Sequence, residues 1–93
     1  MSVTVRIPSA MRPLAGGAST VEVAGTNVKE VLDALIEAHP GTRDRLFDDA
    51  GKLRRFVNIY VEEEDIRFAD GLDTKVLDGQ TVSLLPAVAG GSI

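Results

Sequence analysis

Asn27-Val28-Lys29-Glu30-Val31-Leu32-Asp33-Ala34-Leu35-Ile36 is the stretch that decides the fold. Val28, Val31, Leu32, Leu35 and Ile36 recur at helical spacing, so one apolar stripe runs along one face and Lys29, Glu30 and Asp33 fall off it. Asn27 with Glu30 three residues on has the spacing of a capping box; Thr26 is an equally good N-cap. Pro40-Gly41 stops the helix, and His39 just before it sits where an imidazole meets the negative end of the helix dipole. An amphipathic helix must bury its stripe against another layer, and the flanking residues supply a sheet.

Upstream, Ser2-Val3-Thr4-Val5-Arg6-Ile7 alternates polar and apolar residues, the period of a half-buried strand. Pro8 ends it for want of an N–H. Pro13 and Gly16-Gly17 mark a loop, and Ser19 to Val23 reads as a second strand, antiparallel to the first. Downstream, Thr42 to Phe47 has room for a short helical turn and Asp48 to Lys52 reads as a turn. Phe56-Val57-Asn58-Ile59-Tyr60-Val61 is rich in β-branched and aromatic residues and is the clearest strand. Glu62-Glu63-Glu64-Asp65 turns the chain, and Ile66-Arg67-Phe68 is expected to return as a short strand. Gly71 to Gly79 reads as loop closing in an Asp78-Gly79 turn; Thr81 to Leu85 is the last strand, stopped by Pro86. The expected fold class is therefore α+β: a β-grasp (ubiquitin-like) mixed sheet of four to five strands with one main amphipathic helix on one face. The helix lets the chain cross over, so the first and last strands can pair in parallel at the centre. Residues 1–86 form this domain; residues 87–93 are expected to be a flexible C-terminal tail.

Composition narrows the function. The 93 residues suit one small domain, and 14 acidic against 10 basic residues argue against nucleic acid as a partner. No apolar run is long enough to span a membrane, and Met1 to Arg6 lacks the pattern of a signal peptide, so the expected compartment is the cytoplasm. The sequence has no cysteine, which removes disulfides, thiolate nucleophiles and thiolate metal sites, and its single histidine removes multi-histidine sites. No metal is expected.

The residues after the last strand, Pro86-Ala87-Val88-Ala89-Gly90-Gly91-Ser92-Ile93, carry no charged side chain. Gly90-Gly91 lack Cβ atoms, so they enter slots and adopt backbone angles closed to other residues. Extended, Pro86 to Gly91 spans roughly 20 Å, enough to reach a buried site while the domain stays outside. An uncharged thread also avoids the cost of burying an unpaired charge.

Four segments carry a family resemblance: Arg55 to Val61, Glu64 to Phe68, Leu77-Asp78-Gly79-Gln80-Thr81-Val82, and Leu85 to Gly91. With them the chain resembles the β-grasp sulfur-carrier proteins of the ThiS and MoaD superfamily, most closely its CysO type. The resemblance implies a carrier and not an enzyme, a protein co-substrate that binds no cofactor itself. A ubiquitin-activating-type adenylyltransferase/sulfurtransferase uses ATP to adenylate the terminal glycine carboxylate, and a sulfur donor then displaces AMP to leave a thiocarboxylate. A sulfur-accepting synthase consumes it, in cysteine biosynthesis for the CysO type, or for molybdopterin, thiamin or a sulfur-containing secondary metabolite in relatives. Gly91 is then the adenylation and thiocarboxylate site, with Ala87, Val88, Ala89 and Gly90 the threading tail. A carrier without cysteine must hold its sulfur on the backbone terminus. In this sequence Ser92-Ile93 follow the second glycine and mask its carboxylate. The reading taken is a latent form, cut between Gly91 and Ser92 by a peptidase such as a JAMM-type zinc metallopeptidase. The other readings are a tail that is not native and a relative that is never activated. Outside sulfur transfer, the alternatives are a ubiquitin-like modifier forming isopeptide bonds through Gly91, and an interaction module without acyl chemistry.

The remaining polar clusters have plainer readings. His39 is a helix-end residue without a visible catalytic partner. Glu62 to Asp65 read as a solvated hairpin tip, with docking to a basic partner as the functional version. Lys52, Arg54 and Arg55 are either solvated surface or a contact to the activating enzyme or synthase. Phe56, Tyr60 and Leu85 fall on the sheet face away from the helix, where they are either an exposed docking patch or covered by the loop from Arg67 to Gly79. Neither nucleic acid nor membrane is expected as a partner, and the carrier alone is expected to be a monomer.

Overall fold

The computed structural model of the protein describes residues 2–55 and 57–86. Strand β1 (Val3–Arg6) and strand β2 (Thr20–Val23) are joined through a 3-10 helix, Ser9–Ala15. Helix α1 (Val28–Ala38) follows, then a 3-10 turn, Pro40–Thr42, and the short α2 (Arg43–Leu46). Strand β3 (Val57–Val61) turns into β4 (Glu64–Asp65), and two 3-10 turns, Ile66–Phe68 and Gly71–Asp73, lead to β5 (Thr81–Pro86). Among the described residues the sheet has five strands in the order β2-β1-β5-β3-β4. The pair β1–β5 is parallel, with Thr4, Val5 and Arg6 opposite Thr81, Val82 and Ser83; the other pairs are antiparallel.

The alternation read from the sequence fixes which face is buried. Val3, Val5, Val57, Ile59, Val61, Val82 and Leu84 point to one side, where Val28, Val31, Leu32 and Leu35 of α1 meet them in a single core. A buried aliphatic side chain contributes about 1.5–3 kcal/mol relative to exposure, so this face holds the layers together. Gly25 lets the helix approach: a Cβ there would lie 2.9 Å from both Val31 Cγ2 and the Val31 backbone nitrogen.

At the start of α1 the N-cap is Asn27, whose Oδ1 accepts from the Glu30 N–H at 2.8 Å. Glu30 reaches one residue further back than a capping box requires, accepting from the Thr26 N–H and hydroxyl at 2.8 and 2.7 Å. Both candidate caps are thus used, in different roles. The two Thr26 bonds hold the Glu30 carboxyl below its ordinary range, the backbone donor contributing most. His39 is the C-cap, and Pro40 begins the next turn, as the sequence predicted.

Three details differ from the sequence reading. Ile66–Phe68 is a 3-10 turn and not a strand, because the Asp65 side chain accepts from the Arg67 N–H at 2.8 Å and caps a turn. The strand that pairs with β3 is the preceding Glu64–Asp65. The segment between Pro8 and Gly16 is helical in place of loop, with Met11 and Ala15 buried in the core. Glu62 is more than a solvated tip residue: at φ 57° it takes a left-handed conformation, and its Oε2 accepts from the Thr81 N–H at 2.6 Å. Pro86 closes β5 as its final residue, opposite Val57.

The cap predicts two stability effects. Asn27→Ala should lower unfolding stability by about 1 kcal/mol in urea denaturation, the usual cost of losing an N-cap. Because the folded-state pKa of Glu30 is lowered, its contribution is present above the ordinary carboxylate range and is lost as pH falls through the lowered value. Glu30→Gln should therefore flatten the acid limb of a urea-midpoint against pH profile without changing the neutral-pH fold; an unchanged limb would count against the assigned role.

Candidate functional site

Strand β5 lies between β1 and β3, so the chain reaches Pro86 from the middle of the sheet. The last β5 residues run past the end of β1: Ser83 pairs with Arg6, while Leu85 and Pro86 pair only with Asn58 and Val57. Beyond Arg6 the chain turns through Ile7 and Pro8, leaving a groove of about 440 Å³ lined by Arg6, Ile7, Pro8, Arg12, Ser19, Thr20, Ser83, Leu84 and Leu85. A smaller cleft of about 50 Å³ beside it is lined by Pro8, Ala10, Met11, Arg45, Val57, Leu84 and Leu85. Alternation sends Leu84 into the core at 1 % exposure and leaves Leu85 47 % exposed.

The expected docking residues divide as follows. Leu85 and the half-buried Tyr60 are accessible on the face away from α1. Of the segment from Arg67 to Gly79, Gly71–Asp73 packs against α1 and Val76 is buried in the helix-side core, while Arg67 Nη2 reaches back to the Arg55 and Val57 carbonyls. Asn58 lies opposite Leu85 with its Oδ1 buried and unpartnered. Arg55 is exposed, and its carbonyl accepts from Arg67 Nη2 at 3.0 Å. Arg54 is half-buried, and its Nε donates to the Asp44 carbonyl at 2.7 Å, which ties it to α2. Phe56 and the tail residues Ala87, Val88, Ala89, Gly90, Gly91 and Ser92 lie outside the described residues.

The sequence reading missed the arginines that share this end of the sheet. Arg6 closes β1, Arg12 comes from the Ser9–Ala15 helix, and Arg45 comes from α2. Arg12 Nε donates to the Ile7 carbonyl at 3.2 Å, which holds its guanidinium at the groove. The available signal was the parallel pairing of β1 with β5, which puts Arg6 beside Ser83. At the sheet's opposite end, Glu22 accepts from the Thr4 and Ser2 hydroxyls at 2.6 and 2.8 Å, bonds that lower its carboxyl pKa, that of Thr4 most. Among the described residues no group of three or more His, Asp or Glu side chains is placed to hold a metal ion. No helix among them is long and apolar enough to cross a membrane.

A mixed sheet with a central parallel pair, one long helix across one face and a central last strand defines a β-grasp domain of the ubiquitin-like kind. The ThiS family model matches residues 5–91, and the chain belongs to that family. The sulfur carrier protein CysO of Mycobacterium tuberculosis is 48% identical to it, the alignment covering 98% of this chain and 100% of that protein. In the solved Amycolatopsis orientalis BexX/CysO complex, a chain at 47% identity superposes with a TM-score of 0.88, covering 96% of this chain and 99% of its own length. SAMP1 from Haloferax volcanii, at 30% identity, gives a TM-score of 0.85 over 98% of this chain and 100% of its own.

Neighbouring leucines at the end of β5 should separate structure from recognition. Leu84→Ala is expected to cost about 2–5 kcal/mol of stability by opening a core cavity. Leu85→Ser should stay within about 0.5 kcal/mol, as for other surface positions. Urea denaturation of both variants checks the assignment, and a large loss for Leu85→Ser would mean that residue is structural.

Proposed function

We propose that this chain is a sulfur carrier of the CysO type, working through the backbone carboxylate of Gly91. The observation that carries the reading is the family match to residues 5–91, a span that includes Gly90-Gly91 and stops before Ser92. It is supported by the near-full-length similarity to sulfur carrier protein CysO. The absence of cysteine leaves no thiol to carry sulfur.

In this reading residues 1–86 are a folded handle and residues 87–91 are the thread. Pro86 closes a central strand hydrogen-bonded on the β3 side, so the thread starts from a fixed point. Ala87, Val88, Ala89 and Gly90 offer an acceptor slot little volume and no charge. The Gly91 carboxylate attacks the α-phosphorus of ATP on an activating enzyme, pyrophosphate leaves, and a sulfur donor displaces AMP to give the thiocarboxylate. The carrier contributes no acid or base to these steps; the enzymes that receive the thread supply positioning and charge stabilisation. Neither ATP nor the sulfur donor binds the carrier itself. The thiocarboxylate then serves as nucleophile in a synthase. Cysteine biosynthesis is the preferred destination, ahead of molybdopterin, thiamin or a sulfur-containing secondary metabolite. Because Ser92 occupies the Gly91 carbonyl in a peptide bond, hydrolysis of that bond comes first, and a JAMM-type metallopeptidase fits the task. The cytoplasm, where ATP is at hand, suits the whole sequence of steps.

The similarity to a small archaeal modifier protein favours a second reading, in which the same activated Gly91 forms isopeptide bonds to lysines. Lysine adducts bearing a Gly-Gly remnant, found by mass spectrometry after incubation in homologous extract, would mark that use.

The test is adenylation with the activating enzyme encoded in the same genome. A chain ending at Gly91 should support ATP–pyrophosphate exchange, whereas the chain retaining Ser92-Ile93 and the Gly91→Pro variant should stay at background. Equal exchange by the untrimmed chain would overturn the latency, and no exchange by the Gly91-ended chain would overturn the carrier.

A further inference from the structure

We propose that the groove between Arg6 and Arg12, beside Leu85, seats an acidic side chain of the enzyme that adenylates the tail, so that this enzyme carries an acidic rim around its slot. The inference rests on the carrier reading and names the chemistry of the surface that receives it.

The chain is net acidic, at −4, yet its charges are separated. Around the end of β5, Arg6 and Arg12 line one groove and Arg45 the adjoining cleft, while Arg67 donates to the Arg55 carbonyl two residues before Val57, the partner of Pro86. Asp44, next to Arg45, is the acid nearest to them in sequence. At the opposite end, the grooves are bordered by Glu62, Glu63, Glu64, Asp73 and Asp78, with Lys75 among them.

This separation decides which partner takes the tail. A basic surface would attract the acidic end and leave Pro86 pointing away. An acidic rim attracts the arginine end and repels the other, so the carrier arrives tail first. Arg6 is exposed and its side chain makes no hydrogen bond or ion pair within the described residues. Arg12 spends Nε on Ile7, and its terminal nitrogens make no such bond there. An arginine presents a planar fork of donors that matches a carboxylate. Ser19, Thr20, Ser83 and Leu85 also line the groove, so polar residues and one apolar residue stand beside the two arginines.

The test uses chains ending at Gly91 and the adenylating enzyme from the same genome, with KM for carrier, KM for ATP and kcat measured by pyrophosphate exchange. Arg6→Glu/Arg12→Glu should raise the carrier KM about tenfold or more and leave kcat within about twofold, as loss of docking without loss of chemistry requires. Arg6→Glu alone, which removes no hydrogen bond among the described residues, should show part of the effect even if the double variant folds poorly. Arg6→Lys/Arg12→Lys should recover most of the affinity. Lys29→Glu/Lys75→Glu, with the same change in net charge placed elsewhere, should change KM by less than about twofold. Rising salt should weaken the wild-type carrier and leave the double glutamate variant nearly flat. An unchanged carrier KM in the Arg6 and Arg12 variants, or an equal rise in the Lys29 and Lys75 control, overturns the acidic rim while leaving sulfur carriage intact. A rise in the KM for ATP in place of that for carrier assigns the arginines to nucleotide and overturns it too. Absence of exchange with the wild-type Gly91-ended chain removes both proposals.

Discussion

The parallel pairing of β1 with β5 is the constraint on which the rest of this domain depends. Parallel neighbours cannot be joined by a tight turn, so the chain between them must cross over, and α1 makes the crossing. Its apolar stripe seals the face it crosses, and the capped start at Asn27 fixes where the crossing begins. The same pairing puts the last strand at the centre of the sheet, and the different lengths of β1 and β5 leave Leu85 and Pro86 beyond the end of Arg6. A groove opens there because β1 has turned away at Pro8. The position of Pro86 at the end of the central strand is therefore a direct consequence of the fold.

In the proposed carrier reading the chain separates two physical requirements. The folded part must be rigid and recognisable, and the reactive part must be thin. The core of β1, β3, β5 and α1 meets the first requirement, and the uncharged Ala87 to Gly91 meets the second by composition. Between them sits a transition of two residues: Leu84 is locked in the core and Leu85 is half in solvent. Charge adds orientation in the proposed docking, since arginines gather around the end of β5 and Glu62, Glu63, Glu64, Asp73 and Asp78 border the grooves at the far end. Membership in the ThiS family, whose model matches residues 5–91, agrees with the proposed carrier reading of this arrangement.

What could be read from the sequence follows how local the signal is. The helix was legible because its stripe, cap and stop are carried by consecutive residues, Asn27 to Pro40. Strand β1 was legible through alternation, β3 through its β-branched and aromatic residues, β2 and β5 through short apolar-rich runs bounded by turn signals, and the parallel pairing through the crossover a single helix allows. Ile66–Phe68 misled because β-branched and aromatic residues suggest a strand, while one side chain, Asp65, diverts the backbone into a turn. Glu62 gave no warning: a glutamate at φ 57° has no compositional signature, and its partner Thr81 is distant in sequence. The arginine cluster was hidden for the same reason. Arg6, Arg12 and Arg45 come from three elements and meet only once the strand order is known. Basic residues that are adjacent in sequence, Arg54 and Arg55, drew attention instead, and Arg54 turns out to be tied to the Asp44 carbonyl.

The central claim is that this domain carries sulfur on one backbone atom, the carboxyl carbon of Gly91. Fragmentation mass spectrometry locates it most directly. The chain ending at Gly91 is incubated with the adenylating enzyme, ATP and a sulfur donor, and then fragmented intact. The account predicts replacement of one oxygen by one sulfur, confined to the fragments that contain Gly91. Sulfur found on any other fragment, or a protein left unmodified by an enzyme shown to adenylate it, would contradict the account.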